Sequence, residues 1–201
     1  IYQFQTEKDF LIVSEQVSNF IKKFGPKPKS QMIVVCADAL PTSWPLRIPG
    51  EHNRLNAALA LATVKIFWAE FFQQEKREEL DTAQKVLEFY KGLPGRLQFV
   101  KKYKGVDLYN DTNSTTPDAT IAALKTFDSE GGNKNIGGGG TILIFGGADK
   151  KLDMENLLKI LPRYAKALVV LPGSGTEIIR ARLLDIQTET GSELPVVFVQ
   201  D

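Results

Sequence analysis

Charged and polar side chains gather between a predicted strand and a predicted helix near the middle of the chain. Residues 110–118 have the sequence Asn-Asp-Thr-Asn-Ser-Thr-Thr-Pro-Asp, and Arg96 precedes the predicted hairpin that leads into them. Arg96 can grip a phosphate with two parallel hydrogen bonds, and Asp111 can accept ribose hydroxyls or support a metal ion. The same residues also suit an elaborate helix cap, in which Asp and Thr satisfy backbone donors. Both interpretations stay open on these residues alone.

A second candidate segment opens a long predicted helix. Residues 50–60 have the sequence Gly-Glu-His-Asn-Arg-Leu-Asn-Ala-Ala-Leu-Ala, which places Asn53, Asn56, Ala57 and Ala60 on one helical face. Free backbone N–H groups at a helix start favour anions, and small side chains let a nucleotide base or another surface approach closely. The structural alternative is that Asn53 caps the helix and the alanines pack against a neighbouring helix.

A third candidate segment follows a predicted buried strand. Residues 144–153 have the sequence Ile-Phe-Gly-Gly-Ala-Asp-Lys-Lys-Leu-Asp. The two glycines permit close approach of the backbone to a ligand, and Lys150 can hold a carboxylate as a point charge. The alternative is a surface loop with solvated lysines. The similar stretch at residues 172–176, Pro-Gly-Ser-Gly-Thr, lacks the full glycine spacing of a dinucleotide-binding motif and is interpreted as a turn.

The first half of the chain supplies two short strands and two helices. Apolar runs predict strands at residues 10–13 and 32–35, and prolines 41, 45 and 49 then interrupt regular structure. Helical spacing of apolar residues predicts a long helix from His52 and a second helix over residues 78–90. The run Gly-Leu-Pro-Gly at residues 92–95 ends that helix. We therefore expect one domain over residues 1–92 and another over residues 93–201.

Strands and helices alternate in the second half. Residues 97–100 and 106–109 predict a hairpin around Lys104-Gly105, and Pro117 suits the first turn of a helix. Strands are predicted at 141–145, 167–171 and 195–199, with a helix capped by Asp153 and another over residues 176–186 between them. Fully apolar strands in this alternation indicate an α/β fold with a mostly parallel sheet covered by helices on both faces. Residues 131–140 are glycine-rich and predict a flexible loop.

The composition of the chain argues against several classes of function. A formal net charge of +1 gives no indication of nucleic-acid binding, and the lysines near residue 25 are interpreted as a solvated turn. One cysteine and one histidine cannot form a Cys/His metal cluster, and Cys36 is expected in the core. Short apolar runs and the lack of a signal peptide predict a cytoplasmic protein that does not enter a membrane. A monomer is expected, although no sequence feature determines the oligomeric state. Neither Ile1 nor Asp201 resembles a natural terminus, so a fragment is expected.

Taken together, the three segments resemble the Mur ligase family. The quoted motifs are His52-Asn53-x-x-Asn56, Leu93-Pro94-x-Arg96, Asn110-Asp111-Thr-x-x-Thr115 and Gly146-Gly147-x-x-Lys150. The first resembles the end of the family's central ATPase domain, and the others resemble its Rossmann-like carboxy-terminal domain. The order of the last two motifs is similar to the branch that joins D-glutamate to UDP-N-acetylmuramoyl-L-alanine. The resemblance covers nearly the whole chain.

The resemblance implies an amide-forming ligase that uses ATP and Mg²⁺ and proceeds through an acyl phosphate. No phosphate-binding motif G-x-x-x-x-G-K-[ST] occurs in these residues, so the fragment is expected to be inactive alone and to hold no catalytic or metal-binding residue. Residue 113 is Asn, where the family often carries Lys. The implied ATP contacts are His52, Asn53, Asn56, Arg96 and Asp111, and the implied D-glutamate contacts are Thr115 and Lys150.

Two alternatives accompany this hypothesis. The chain can belong to another Mur ligase or to a folylpolyglutamate-type synthase, which changes the acceptor but keeps the chemistry. It can also be a doubly wound module that binds a nucleotide or a partner without catalysis. The residues alone are compatible with more than one amino acid as the substrate that is added.

Overall fold

The chain divides into two compact units, Ile1–Gly92 and Leu93–Asp201. A computed structural model describes residues 2–72, 77–129, 140–191 and 193–200. Each unit is a mixed α/β structure. The glycine-rich segment predicted as a flexible loop lies, except for Gly140, outside the described residues.

The first unit begins with a parallel β–α–β arrangement. Strand β1 (Phe10–Ser14) pairs in parallel with β2 (Gln31–Val35), and helix α1 (Glu15–Phe24) connects them. The Ser14 side chain accepts a hydrogen bond from the Val17 N–H and caps α1. No element was predicted between these strands. The signal for α1 was present, because an acidic residue opens the helix and two lysines close it, in agreement with the helix dipole.

Helix α2 (Glu51–Phe72) and helix α3 (Arg77–Phe89) complete the first unit. A short 3-10 helix (Ala37–Ala39) and the proline-rich segment lie between β2 and α2. The segment brings Leu40 and Trp44 under α2, where they are buried. The buried cluster that joins strand, segment and helix is Val35, Leu40, Trp44, Ala57, Ala58 and Leu61.

Cys36 and the lysines near residue 25 lie in surroundings that differ from the sequence-based predictions. Cys36 was expected in the core but is exposed, because β2 ends at Val35 and the chain then turns away from the sheet. The lysines near residue 25 are not all in a turn. Lys22 and Lys23 belong to the last turn of α1, where positive charge is favourable, and Lys27 and Lys29 follow it.

The second unit opens with an antiparallel hairpin, as predicted. Strand β3 (Gln98–Tyr103) pairs with β4 (Val106–Asn110). The two residues between them, Lys104 and Gly105, both have positive φ angles of 48° and 84°. Positive φ at both positions is typical of a two-residue turn whose twist matches the strands. Helix α4 (Pro117–Ser129) follows, with proline at its first position.

A three-stranded parallel sheet forms the rest of the second unit. Its order is β5 (Thr141–Gly146), β6 (Ala165–Leu171) and β7 (Val196–Phe198). Helix α5 (Glu155–Tyr164) connects the first two strands, and helix α6 (Ser174–Thr190) connects the last two. Asp153 does not occupy the capping position of α5, which belongs to Met154, although its carboxylate accepts a hydrogen bond from the Glu155 N–H.

The described helices bury one face of this sheet. Leu168 and Val170 of β6 share a cluster with leucines of α4, α5 and α6. On the opposite face Ile142 and Ile144 are 55% and 63% exposed. The prediction that helices cover both faces is therefore not met by the described residues. β5 alternates in burial where its continuous apolar sequence suggested burial on both sides. Among the described residues, no helix has the length and apolar character needed to cross a membrane.

Candidate functional site

The start of α2 carries the three candidate residues of the first unit. Asn53 donates its side-chain N–H to the Pro49 carbonyl at 2.6 Å, so its amide fixes the loop that precedes the helix. Asn56 is exposed, and His52 is half-buried. Ala57 lies in the core cluster, which excludes it from close contact with a ligand. Asn56 is thus the candidate on this helix with the greatest access to solvent.

Arg54 holds the proline-rich segment in place, a role that was not predicted from the sequence. Its guanidinium donates to the carbonyls of Leu40, Pro41 and Trp44 at 3.1 to 3.4 Å. A cation in the first turn of a helix opposes the helix dipole. The arginine at that position was therefore a usable signal that carbonyl partners lie nearby.

Arg96 and Asp111 belong to two neighbouring loops of the second unit. We call residues 93–97 the Arg96 turn and residues 110–116 the Asp111 loop. The Asp111 carboxylate accepts a hydrogen bond from the Leu97 N–H at 2.9 Å. The Arg96 guanidinium donates to the Asn113 carbonyl at 3.2 Å, and the Asn113 N–H donates to the Gly95 carbonyl at 2.9 Å. Together these bonds make one polar surface at the end of β4.

The Asp111 carboxylate offsets local backbone strain. Leu97 has a φ of 40°, which side-chain-bearing residues seldom adopt. Its side chain is only 4% exposed, and its N–H needs a partner because an unpaired buried donor costs about 1–3 kcal/mol. Asp111 Oδ1 is that partner, and Oδ2 accepts no hydrogen bond from the described residues. The alternative interpretation, in which Asp and Thr satisfy backbone donors, also fits these contacts. Thr116 Oγ1 accepts from the Ala119 N–H at the start of α4, whereas the donor that Asp111 satisfies belongs to Leu97 and not to that helix.

Thr115 lies in the same loop, one residue before that cap. It is exposed, and its N–H donates to the Asn113 carbonyl at 3.0 Å. Arg96, Asp111 and Thr115 are therefore brought together within one surface of the second unit. Arg96 and Asp111 form no ion pair with each other, as judged from the residues described, so each keeps hydrogen-bonding capacity for a ligand.

Lys150 lies in a different turn, at the end of β5. Residues 146–151, the Gly147 turn, pack against residues 172–176, the Gly173 turn. The Gly175 N–H donates to the Gly147 carbonyl at 3.0 Å, and Ser174 Oγ accepts from the Asp149 N–H at 3.0 Å. Lys150 itself is exposed. Within the described part of the chain no hydrogen bond or ion pair joins it to Asp111 or Thr115.

Close backbone approach explains the glycines in these two turns. A Cβ atom at Gly173 would lie 2.3 Å from the Gly147 carbonyl oxygen, and one at Gly146 would lie 2.5 Å from the Leu171 carbonyl oxygen. Residues 172–176 were interpreted as a turn, but residues 174–176 already belong to α6, which begins at Ser174. They in fact support the Gly147 turn, and the signal for this was a second glycine pair after the neighbouring strand.

An ion pair anchors the helix that begins at the Gly173 turn. Arg182 of α6 binds Glu155 of α5 through Nε and Nη2, at 3.0 Å and 2.6 Å. Hydrogen bonds from Arg182 and then Lys159 lower the pKa of the Glu155 carboxyl from 4.5 to about 2. The residues described include no group of three or more His, Cys, Asp or Glu side chains that could hold a metal ion.

Sequence comparisons relate this chain to known proteins. The family model described as "Mur ligase, glutamate ligase domain" matches residues 95–199. UDP-N-acetylmuramoylalanine–D-glutamate ligase of Aquifex aeolicus is 32% identical over 196 residues, which cover 92% of this chain and 42% of the relative. The protein of the same name from Borreliella afzelii is 37% identical over 98 residues, which cover 49% of this chain and 20% of that protein.

A solved structure supports the fold. The chain resembles UDP-N-acetylmuramate-alanine ligase MurC of Thermotoga maritima with a TM-score of 0.51 and 20% identity, over 78% of this chain and 31% of that one. The chain spans less than half the length of curated relatives that it matches. The family model covers more than half of the chain, and it includes Arg96, Asp111, Thr115 and Lys150. The chain therefore belongs to the Mur ligase family.

Proposed function

We propose that this chain is part of an ATP-dependent ligase that adds D-glutamate to UDP-N-acetylmuramoyl-L-alanine. Family membership supports amide-bond formation in peptidoglycan synthesis. The choice of D-glutamate is supported by the names of relatives that are 24–37% identical to the chain. In this proposal the chain supplies binding groups, and another part of the ligase supplies the loop that cradles the ATP phosphates.

The observation that carries the proposal is the joined surface of the Arg96 turn and the Asp111 loop. One guanidinium and one carboxylate are fixed by backbone hydrogen bonds, and each keeps unused donors or acceptors. Arg96 suits the ATP phosphates because a guanidinium presents paired donors. The unused Asp111 oxygen suits a ribose hydroxyl. Both residues are assigned to ATP.

The remaining candidates receive roles that match their chemistry. Thr115 and Lys150 are assigned to D-glutamate, since a hydroxyl and an ammonium group together can bind carboxylate oxygens. Asn56 is assigned to the ATP base, with His52 and Asn53 as supporting residues of the same helix turn. Because Asn53 already donates to Pro49, its part in ligand binding is indirect in this proposal.

The reaction consists of two displacements. The substrate carboxylate oxygen attacks the γ-phosphorus of ATP, and ADP leaves, which gives an acyl phosphate. The amine of D-glutamate then attacks the acyl carbon, inorganic phosphate leaves, and the amine loses a proton. Positioning dominates such chemistry, because the phosphoryl group is already activated. In this proposal Mg²⁺ accompanies ATP, and none of the residue roles assigned above is that of a metal ligand.

Phosphate release in the presence of different amino acids tests the proposal. The full-length ligase should release phosphate with UDP-N-acetylmuramoyl-L-alanine and D-glutamate, and not with L-alanine, diaminopimelate or L-glutamate. The 201-residue chain alone should release none. A full-length protein that prefers another amino acid would retain the family and refute the assignment of D-glutamate.

Substitutions test the residue assignments. Lys150→Ala should raise the KM for D-glutamate about tenfold, which corresponds to one charge-assisted hydrogen bond. Lys151→Ala is the matched control, because it removes the same charge from the same turn. Equal effects of the two substitutions would show that Lys150 acts only through general charge.

A further inference from the structure

Residue 113 makes more contacts between the Arg96 turn and the Asp111 loop than its exposed position suggests. The Asn113 N–H donates to the Gly95 carbonyl at 2.9 Å, and its side-chain Nδ2 donates to the Pro94 carbonyl at 3.0 Å. Its own carbonyl accepts from Arg96 Nη1 at 3.2 Å. One residue thus engages three consecutive residues of the neighbouring turn.

The space around Gly95 fits this arrangement closely. Gly95 has a φ of 73°, and a Cβ atom there would lie 2.9 Å from Asn113 Nδ2 and 3.0 Å from Thr112 Oγ1. The carboxamide therefore fills the space that a side chain at Gly95 would occupy. A short, neutral group with an N–H donor satisfies both the space and the Pro94 carbonyl.

We propose that Asn113 is a positioning residue that fixes the Arg96 guanidinium beside Asp111 and does not contact substrate through its own side chain. This proposal rests on the assignment of Arg96 and Asp111 to ATP. It differs from what a lysine at this position would imply, because a lysine there would bring a charge to the loop. Here the Asn113 side chain instead donates a hydrogen bond to the Pro94 backbone carbonyl.

The Arg96 side chain is restrained by one hydrogen bond to the Asn113 carbonyl and still has donors for a ligand. A guanidinium has five N–H donors, and only one of them, on Nη1, bonds to the described residues. The Asn113 carbonyl restrains that side chain, which reduces the entropy lost when a phosphate binds. Weakening the Asn113 contacts should therefore weaken the binding of ATP more than the binding of D-glutamate.

Asn113→Asp in the full-length ligase should give the larger effect, because it is nearly isosteric and replaces the Nδ2 donor by a negatively charged acceptor facing the Pro94 carbonyl, and the neutral Asn113→Ala separates the lost donor from the added charge. We expect the KM for ATP to rise about three- to tenfold, and the KM for D-glutamate to change less than about twofold, as expected for the loss of roughly one hydrogen bond. Asn113→Ala removes the donor without the repulsion and should show a smaller rise. Asn19→Asp, the same change at an exposed residue of α1, should leave both constants unchanged.

Hydrogen exchange gives a readout that does not depend on ligase activity. In Asn113→Asp the hydrogen-bonded amides of Gly95, Arg96 and Leu97 should exchange about tenfold faster or more, because roughly one hydrogen bond that holds the turn is lost, while those of β6 stay as slow as in the parent protein. If the parent lacks D-glutamate ligase activity, the proposed function fails and the exchange result alone judges the positioning role. Unchanged exchange at Gly95, Arg96 and Leu97 would overturn the positioning role, and so would a selective rise in the KM for D-glutamate.

Discussion

The second unit builds its two candidate surfaces in opposite ways. The Arg96 turn and the Asp111 loop are joined by side chains, through Asp111 Oδ1 and the Asn113 amide. The Gly147 and Gly173 turns are joined mainly by their backbones, which approach closely because glycines carry no side chain. The first surface should therefore lose stability when side chains are removed, and the second should lose stability when side chains are added.

Adding a side chain to the Gly173 turn should have the largest effect. Gly173→Ala places a Cβ atom 2.3 Å from the Gly147 carbonyl oxygen in a backbone conformation with φ of 155°. We expect the free energy of unfolding to fall by about 2–4 kcal/mol, from overpacking and strain together. Urea denaturation measures this fall.

Gly105→Ala separates the two contributions. Gly105 also has a positive φ, of 84°, but no atom lies within 4 Å of its added Cβ. It should cost about 1 kcal/mol from conformational strain alone. If Gly173→Ala costs no more than this control, close approach does not organise the Gly173 turn.

Removing a side chain from the Asp111 loop should have the next largest effect. Asp111→Ala leaves the Leu97 N–H without its partner and should lower the free energy of unfolding by about 1–3 kcal/mol. Asp111→Asn keeps an oxygen acceptor and should stay near the parent stability while it weakens ATP binding, because the carboxylate charge is lost. Equal stability of the Ala and Asn variants would show that the Leu97 contact contributes little.

Removing the Ser174 hydroxyl tests the hydrogen bond from the Asp149 N–H to Ser174 Oγ. Among the described residues this is the one side-chain hydrogen bond between the Gly147 turn and the Gly173 turn. Ser174→Ala removes the acceptor for the Asp149 N–H at the exposed first residue of α6 and should lower the free energy of unfolding by about 0.5–1 kcal/mol. The same change should raise the KM for D-glutamate, because Lys150 follows Asp149. Ser174→Thr retains the hydroxyl and serves as the control. A fall as large as that of Gly173→Ala would mean that this turn, too, depends on side chains.

Acid should produce the smallest effect, through the α5–α6 ion pair. The folded-state pKa of Glu155 is lowered to about 2 from 4.5. The pair therefore stabilises the fold above about pH 4.5, and this contribution is lost as the pH falls from 4.5 towards 2. The loss is limited because both side chains are about one-third exposed and solvent screens them. Glu155→Gln should flatten the pH dependence of the thermal midpoint in this window, and an unchanged profile would contradict the assignment.

Sequence alone determined the elements whose signals are local. The hairpin at Lys104-Gly105, the helix that starts at Pro117 and the parallel strands follow from turn residues, proline and apolar runs, which act within a few residues. The motifs that resemble Mur ligases, including Asp111 and Lys150, also lie in contiguous segments. Local patterns could not show Cys36 as exposed, because burial depends on where the chain goes after β2.

Only the tertiary structure decided which polar groups support one another. Asp111 and Leu97 are 14 residues apart, and Asn113 and Pro94 are 19 apart, so neither pairing follows from periodicity. The contact of Gly173 with Gly147 likewise needs two neighbouring strands to bring their ends together. A sequence fixes the chemical type of each side chain, whereas hydrogen-bond partners and close approaches depend on distances that only the folded backbone sets.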